Sequence, residues 1–161
     1  TSDFQALPNV PRARVAAPAA GDCIETGANL LAIGNSGVGK THLAIAAVKE
    51  LKGKIYTMYE ITTRIRQSYS PRADETELEI VGELARLPML AIDEVGRTKG
   101  SDAELNWLSY IIDKRHARGL PTIIISNKHG GHPNRLLFLL LYHKNKIFFR
   151  KTYFCHNFFL Y

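Results

Sequence analysis

Gly34-Asn35-Ser36-Gly37-Val38-Gly39-Lys40-Thr41 sets a glycine, four intervening residues and then Gly-Lys-Thr in a single run. An apolar stretch at 29–33 leads in, and a helical pattern at 42–48, starting with His42, leads out. In this strand-loop-helix setting the spacing cradles the phosphates of a nucleoside triphosphate. Successive backbone N–H groups of such a loop converge on one concavity, with the positive end of the helix dipole behind it. The glycines let the backbone take conformations and close approaches that a Cβ would resist. Lys40 is expected to reach the β and γ phosphates, and the Thr41 hydroxyl to ligate Mg²⁺. A glycine-rich turn with a surface lysine would explain the glycines but not the Lys-Thr pair at this offset.

A second group of residues completes that chemistry. Met89-Leu90-Ala91-Ile92-Asp93-Glu94 is an apolar strand ending in two acids. Placed beside the loop, Asp93 can hold the Mg²⁺ hydration shell opposite Thr41, and Glu94 can polarise the water that attacks the γ-phosphate. A third strand, Thr122-Ile123-Ile124-Ile125-Ser126-Asn127, also ends polar. The Asn127 amide carries both a donor and an acceptor, so it can bond the γ-phosphate and the attacking water together. Lys40, Glu94 and Asn127 are therefore the expected catalytic groups, and Thr41 and Asp93 the expected metal ligands.

The elements that must position these residues follow an alternating pattern. Strands are expected at 30–33, 55–59, 89–92 and 122–126, and helices at 40–51, 60–69, 75–86 and 102–118. Short apolar runs alternating with amphipathic stretches indicate an α/β fold of three layers with a mainly parallel sheet. In the third helix Leu78, Val81, Leu84 and Ala85 share a face, with Asp74, Glu75 and Glu77 at the end where the dipole favours acids. Trp107 and Ile111 share a face of the fourth, so Trp107 reads as packing rather than a platform for bases.

The chain has 161 residues, enough for one domain with a real core. Its formal charge of +6 is unevenly spread, since residues 1–127 hold 15 basic and 15 acidic residues while 128–161 hold six basic and no acidic ones. The body is neutral, which removes the argument for a nucleic-acid-binding surface covering the whole domain. Cys23 and Cys155 stand far apart without metal-ligand spacing, and no secretory leader is visible, which favours a cytoplasmic protein. No apolar run approaches the roughly 20 residues of a membrane span. Residues 1–27, broken by Pro8, Pro11 and Pro18, read as an extended lead-in, 28–127 as the nucleotide-binding core, and 128–161 as a basic aromatic tail.

GNSGVGKTHL at 34–43, LAIDEVG at 90–96 and IIDKRHARGLPTIIISN at 111–127 together resemble the DnaC/IstB-like branch of the AAA+ P-loop ATPases. That branch holds bacterial and phage helicase loaders and accessory ATPases of transposition. The resemblance covers roughly residues 28–127. It implies ATP and Mg²⁺ as cofactors, ATP hydrolysis, assembly into an ATP-dependent oligomer, and engagement of single-stranded DNA and a replicative helicase. The cofactor-binding run then extends over 34–42, with His42 in a structural part. A helicase loader is the first expectation, a transposase accessory ATPase the alternative, and a nucleotide-binding remnant without efficient hydrolysis a further one. A nucleotide kinase is disfavoured by the absence of an arginine-rich lid.

Two departures from the branch are visible. Fewer than thirty residues precede the first strand, where loaders carry a helicase-binding module. At about His129 the composition changes: six of the seven Phe lie beyond it, with no Ala, Val, Ser, Asp or Glu. A frameshift or recombination junction is the expected origin, with 136–142 or 146–151 as the rival source of a fifth strand. Arg135 is the nearest arginine to serve a neighbouring subunit's site, and its spacing does not match that role. Arg97 and Lys99, between Gly96 and Gly100, are either a loop facing the phosphates of a DNA strand or a solvated basic turn.

Overall fold

A computed structural model of the chain describes residues 29–37, 39–97 and 101–127, together with the backbone of 152–156. Within these, β1 (Asn29–Gly34), β2 (Lys54–Thr57), β3 (Leu90–Asp93), β4 (Thr122–Asn127) and β5 (Thr152–His156) form one sheet in the order β2-β3-β4-β1-β5. Every pairing is parallel. The helices are α1 (Lys40–Glu50), α2 (Met58–Gln67), α3 (Glu77–Leu84) and α4 (Asp102–Ala117).

Strand side chains alternate between faces, and the alternation builds two cores. Leu30, Ala32, Ala91, Ile123 and Ile125 pack against Leu43, Ala44, Ala47 and Val48 of α1. Leu31, Ile33, Leu90, Ile92 and Ile124 face the opposite way, against α2, α3 and α4. The result is the expected three-layer α/β arrangement, with β1, β3 and β4 buried at their centres because both faces are covered, while β2 at the edge is only partly buried.

Helix starts differ from the sequence reading for a local reason. Thr57 accepts a hydrogen bond from the Glu60 N–H while the Glu60 carboxylate accepts from the Thr57 N–H, at 3.1 and 2.6 Å. This reciprocal cap ends β2 at Thr57, so Met58 and Tyr59 belong to α2 and not to the strand expected at 55–59. Thr76 with Glu79 and Ser101 with Glu104 make the same device at α3 and α4. Of the face expected on α3, Val81, Leu84 and Ala85 are buried, whereas Leu78 is 71% exposed and Ile80 takes its place. Trp107 does pack against the core, its Nε1 donating to Glu77 at 3.1 Å.

The fifth strand is β5, running along the outer edge of β1 with Asn29 opposite Thr152 and Ile33 opposite His156. The stretches expected to supply a fifth strand, 136–142 and 146–151, like the lead-in 1–27, lie outside the described residues. No helix among the described residues is long and apolar enough to cross a membrane.

Candidate active site

The strand order brings the polar strand ends together. β4 lies between β3 and β1, so Asn127 is flanked by the strand that ends in Asp93 and the strand that opens into the loop. Asn127 is in register with Gly34, the first residue of that loop. All of these groups lie at the carboxyl end of a parallel sheet, where α/β folds place their ligands.

Asn35, Ser36 and Gly37 form an exposed turn, and Gly39 caps α1. Gly37 and Gly39 have φ of 82° and 89°, the left-handed region that disfavours any residue with a Cβ. That geometry turns the chain from β1 into α1 within a few residues. Val38 lies outside the described residues. His42 stands exposed on the first turn of α1, next to the loop.

Lys40 is buried, and its Nζ donates to the carbonyls of Gly34 and Asn35 at 3.0 and 2.5 Å. The ammonium is thus folded back beneath the loop. Burial lowers its pKa, an effect opposed by the charge of Asp93. Thr41 Oγ1 donates to Asp93 Oδ2 at 2.7 Å across the end of β4. The other Asp93 oxygen, Oδ1, accepts the Glu94 N–H at 2.6 Å.

Glu94 begins a turn in which its own φ is 56° and that of Gly96 is 86°. Its carboxylate accepts from Arg97 Nη1 at 2.5 Å. Arg97 is 67% and Glu94 33% exposed, so solvent screens the pair and its net worth is under about 1 kcal/mol. The pair opens easily. Of the two basic residues expected in this turn, Arg97 therefore sits on the acid itself, and Lys99 lies outside the described residues.

The structure brings together Lys40, Thr41, Asp93, Glu94 and the Gly34–Asn127 register pair. Sequence reasoning missed Ser126, which is buried and donates to the Val95 carbonyl at 2.8 Å. A signal was present: a polar residue follows three isoleucines within the strand, one place before Asn127.

Comparison with known proteins places this geometry. The ATP-binding protein of insertion sequence IS5376 from Geobacillus stearothermophilus is 35% identical over 133 residues, 81% of this chain and 53% of that protein. The replicative helicase loader DnaC of Escherichia coli K12 is 29% identical over 115 residues, 68% of this chain and 46% of that one. The chain therefore spans about half the length of the curated relatives it matches. A crystal structure of the DnaC helicase loader superposes with a TM-score of 0.67 at 20% identity, covering 88% of this chain and 85% of that one, which fixes the fold as that of the P-loop AAA+ proteins. Residues 1–137, a longer span than the 28–127 on which the sequence resemblance rested, match the family model described as IstB-like ATP binding protein, and the chain belongs to that family.

Proposed function

We propose that the chain is a Mg²⁺-dependent ATPase of DNA transactions, its hydrolytic groups being Lys40, Thr41, Asp93, Glu94 and Asn127. The observation that carries this reading is the 2.7 Å contact between Thr41 and Asp93, which joins the phosphate loop to the acidic strand. The donor set suits Mg²⁺: one hydroxyl and one carboxylate offer hard oxygens, and water and substrate phosphates would supply the remaining ligands. No cluster of three or more His, Cys, Asp or Glu among the described residues offers a cage of its own. When bound, Mg²⁺ supplies charge neutralisation across the β and γ phosphates.

This chain's residues do the rest. Lys40 leaves the carbonyls of Gly34 and Asn35 for the phosphate oxygens, exchanging neutral acceptors for charged ones. Glu94, released from Arg97, takes a hydrogen bond from the attacking water and orients it. Asn127 bonds that water and the γ-phosphate together. Val38, in the same phosphate-loop run, lies outside the described residues.

The partner is proposed from similarity. The higher identity and longer coverage of the insertion-sequence relative favour an accessory ATPase working with a transposase on DNA in the cytoplasm. The helicase-loader reading is the second, supported by the match to DnaC. In either, chains assemble around single-stranded DNA and an ATP-dependent oligomer is the working form.

The test separates binding from turnover. Lys40→Ala weakens ATP binding, whereas Glu94→Gln keeps binding and loses turnover, because it removes the charge of the base with little change in volume. Titration with a fluorescent ATP analogue and a phosphate-release assay on both variants decide it. Equal loss of binding in the two would overturn the division of roles. Affinity capture with a replicative helicase and with a transposase of the same genome distinguishes the two partners.

A further inference from the structure

The ladder between β3 and β4 ends at Ile92 opposite Ile124. Beyond that pair nothing in the regular sheet holds the two strand ends together, and the candidate catalytic groups lie there. Val95 bridges the gap. Its N–H donates to the Ile125 carbonyl at 3.0 Å, and its carbonyl accepts from Ser126 Oγ at 2.8 Å. Both Val95 and Ser126 are 1% exposed.

Between this double attachment and Asp93 sits Glu94. Its left-handed φ of 56° is a strained conformation for a residue with a side chain. A conformation of that kind persists only where its neighbours impose it. Here the imposing contacts are the Asp93 carboxylate on one side and the Val95 attachment on the other. A buried serine usually satisfies its hydroxyl on a nearby carbonyl. The carbonyl chosen here belongs to a different strand end, on the residue after Glu94.

We propose that Ser126 is a positioning residue for ATP hydrolysis: by holding the Val95 carbonyl it keeps Glu94 in its strained conformation, fixed relative to Asn127 on Ser126's own strand. This rests on the reading of Glu94 as the group that activates water. Ser126 touches neither nucleotide nor water. It makes the acid and the amide move as one body, so that a displacement of β4 by the γ-phosphate at Asn127 is passed to Glu94.

Four proteins test this: wild type, Ser126→Ala, Glu94→Gln and the double variant, each measured for ATP-analogue affinity, turnover and amide hydrogen exchange. Ser126→Ala keeps affinity and loses about tenfold in turnover, the equivalent of one hydrogen bond. In the Glu94→Gln background it costs nothing further, because its route to the reaction is already gone. Amides of 94–97 exchange about tenfold faster while those of 122–125 stay protected, as expected for a local opening. Ser126→Thr, which keeps the hydroxyl, restores both readouts.

Losses that multiply in the double variant, or unchanged turnover in Ser126→Ala, overturn the proposal while leaving the ATPase reading intact. Full turnover in Glu94→Gln overturns the role of Glu94 as the group that activates water, and a wild type that binds ATP without turning it over overturns the ATPase reading; either removes the link to hydrolysis. Exchange at 94–97 then decides the clamp, and unchanged exchange overturns that too. Where Ser126→Ala does not fold, Ser126→Cys, similar in size but a weak donor, carries the same comparison.

Discussion

Thr41 Oγ1 gives its proton to Asp93 and keeps its lone pairs, so it would ligate Mg²⁺ without giving up that bond, with Asp93 holding the hydration shell beside it. Thr41→Ala should therefore make nucleotide affinity less dependent on Mg²⁺, which a magnesium titration at fixed nucleotide measures. Identical profiles for variant and wild type would contradict the ligand role. Asn127→Ala should leave affinity nearly intact and slow turnover by about a hundredfold, the scale of losing one donor to developing charge. At this scale the site was largely legible, because the chemistry demands residue types at fixed offsets: Lys40, Thr41, Asp93 and Glu94 follow from spacing alone. The strained backbone of Glu94 and its attachment through Val95 were not. Both depend on how far the β3 and β4 ladder extends, a property of two strands and not of either run of letters.

The helices and their junctions depend on contacts that cross between elements. Arg115 of α4 is fully buried, donating to Thr122 Oγ1 and to the carbonyls of Leu84, Leu87 and Pro121 at 2.6–2.9 Å. Burial pushes its pKa down to about 10, still far above neutrality, so it remains a cation. One guanidinium thus ties the end of α3, the turn before β3 and the entry to β4. Arg115→Met would leave these acceptors without their donor, and urea unfolding should show a loss of about 3 kcal/mol or more.

Arg64 of α2 bridges Glu75 and Glu83 at 2.5 and 2.6 Å, and its hydrogen bonds hold both carboxyls below the usual glutamate range. A folded pKa below the unfolded one means stability that is complete above about pH 4.3 and lost as pH falls through the lowered value. Arg64→Gln should flatten that acid limb in melting curves recorded against pH. None of these bridges has a sequence period. The caps did have one, since Ser or Thr followed three residues later by Glu occurs at 57, 76 and 101. Periodicity placed Val81, Leu84 and Ala85 of that face correctly and Leu78 wrongly, because Leu78 fits the helical spacing as well as Ile80 does and only the neighbouring helices choose between them.

For the whole molecule, the informative strand is β5. The sequence reading set 128–161 apart, and the stronger apolar run at 136–142 drew attention away from the five residues that pair with β1. An edge strand needs only one partner, so its own pattern is weak. A chain ended at Lys128 loses that partner and opens the backbone of β1 to other chains. It should melt at lower temperature and self-associate in sedimentation, even though the phosphate loop and both acids are retained. Turnover per chain should stay flat with protein concentration if no arginine of a neighbour enters the site, since such a group is worth about 10³–10⁵ in rate. A steep rise would show that a neighbour supplies one.

β1 occupies an unusual position in time as well as in space. Leu30 pairs with Ile123 on one side and Tyr153 on the other, so the earliest strand of the sheet waits for the latest two. Pairings this distant are slow to form, since the intervening chain must first be brought back on itself. On the ribosome, residues 54–93 emerge with both β2 and β3, while the strand that opens into the phosphate loop has no neighbour to pair with until β4 is made. The ability to hold ATP is therefore acquired late in synthesis, and nascent chains stalled before Asn127 should be protected from protease neither by ATP nor by Mg²⁺.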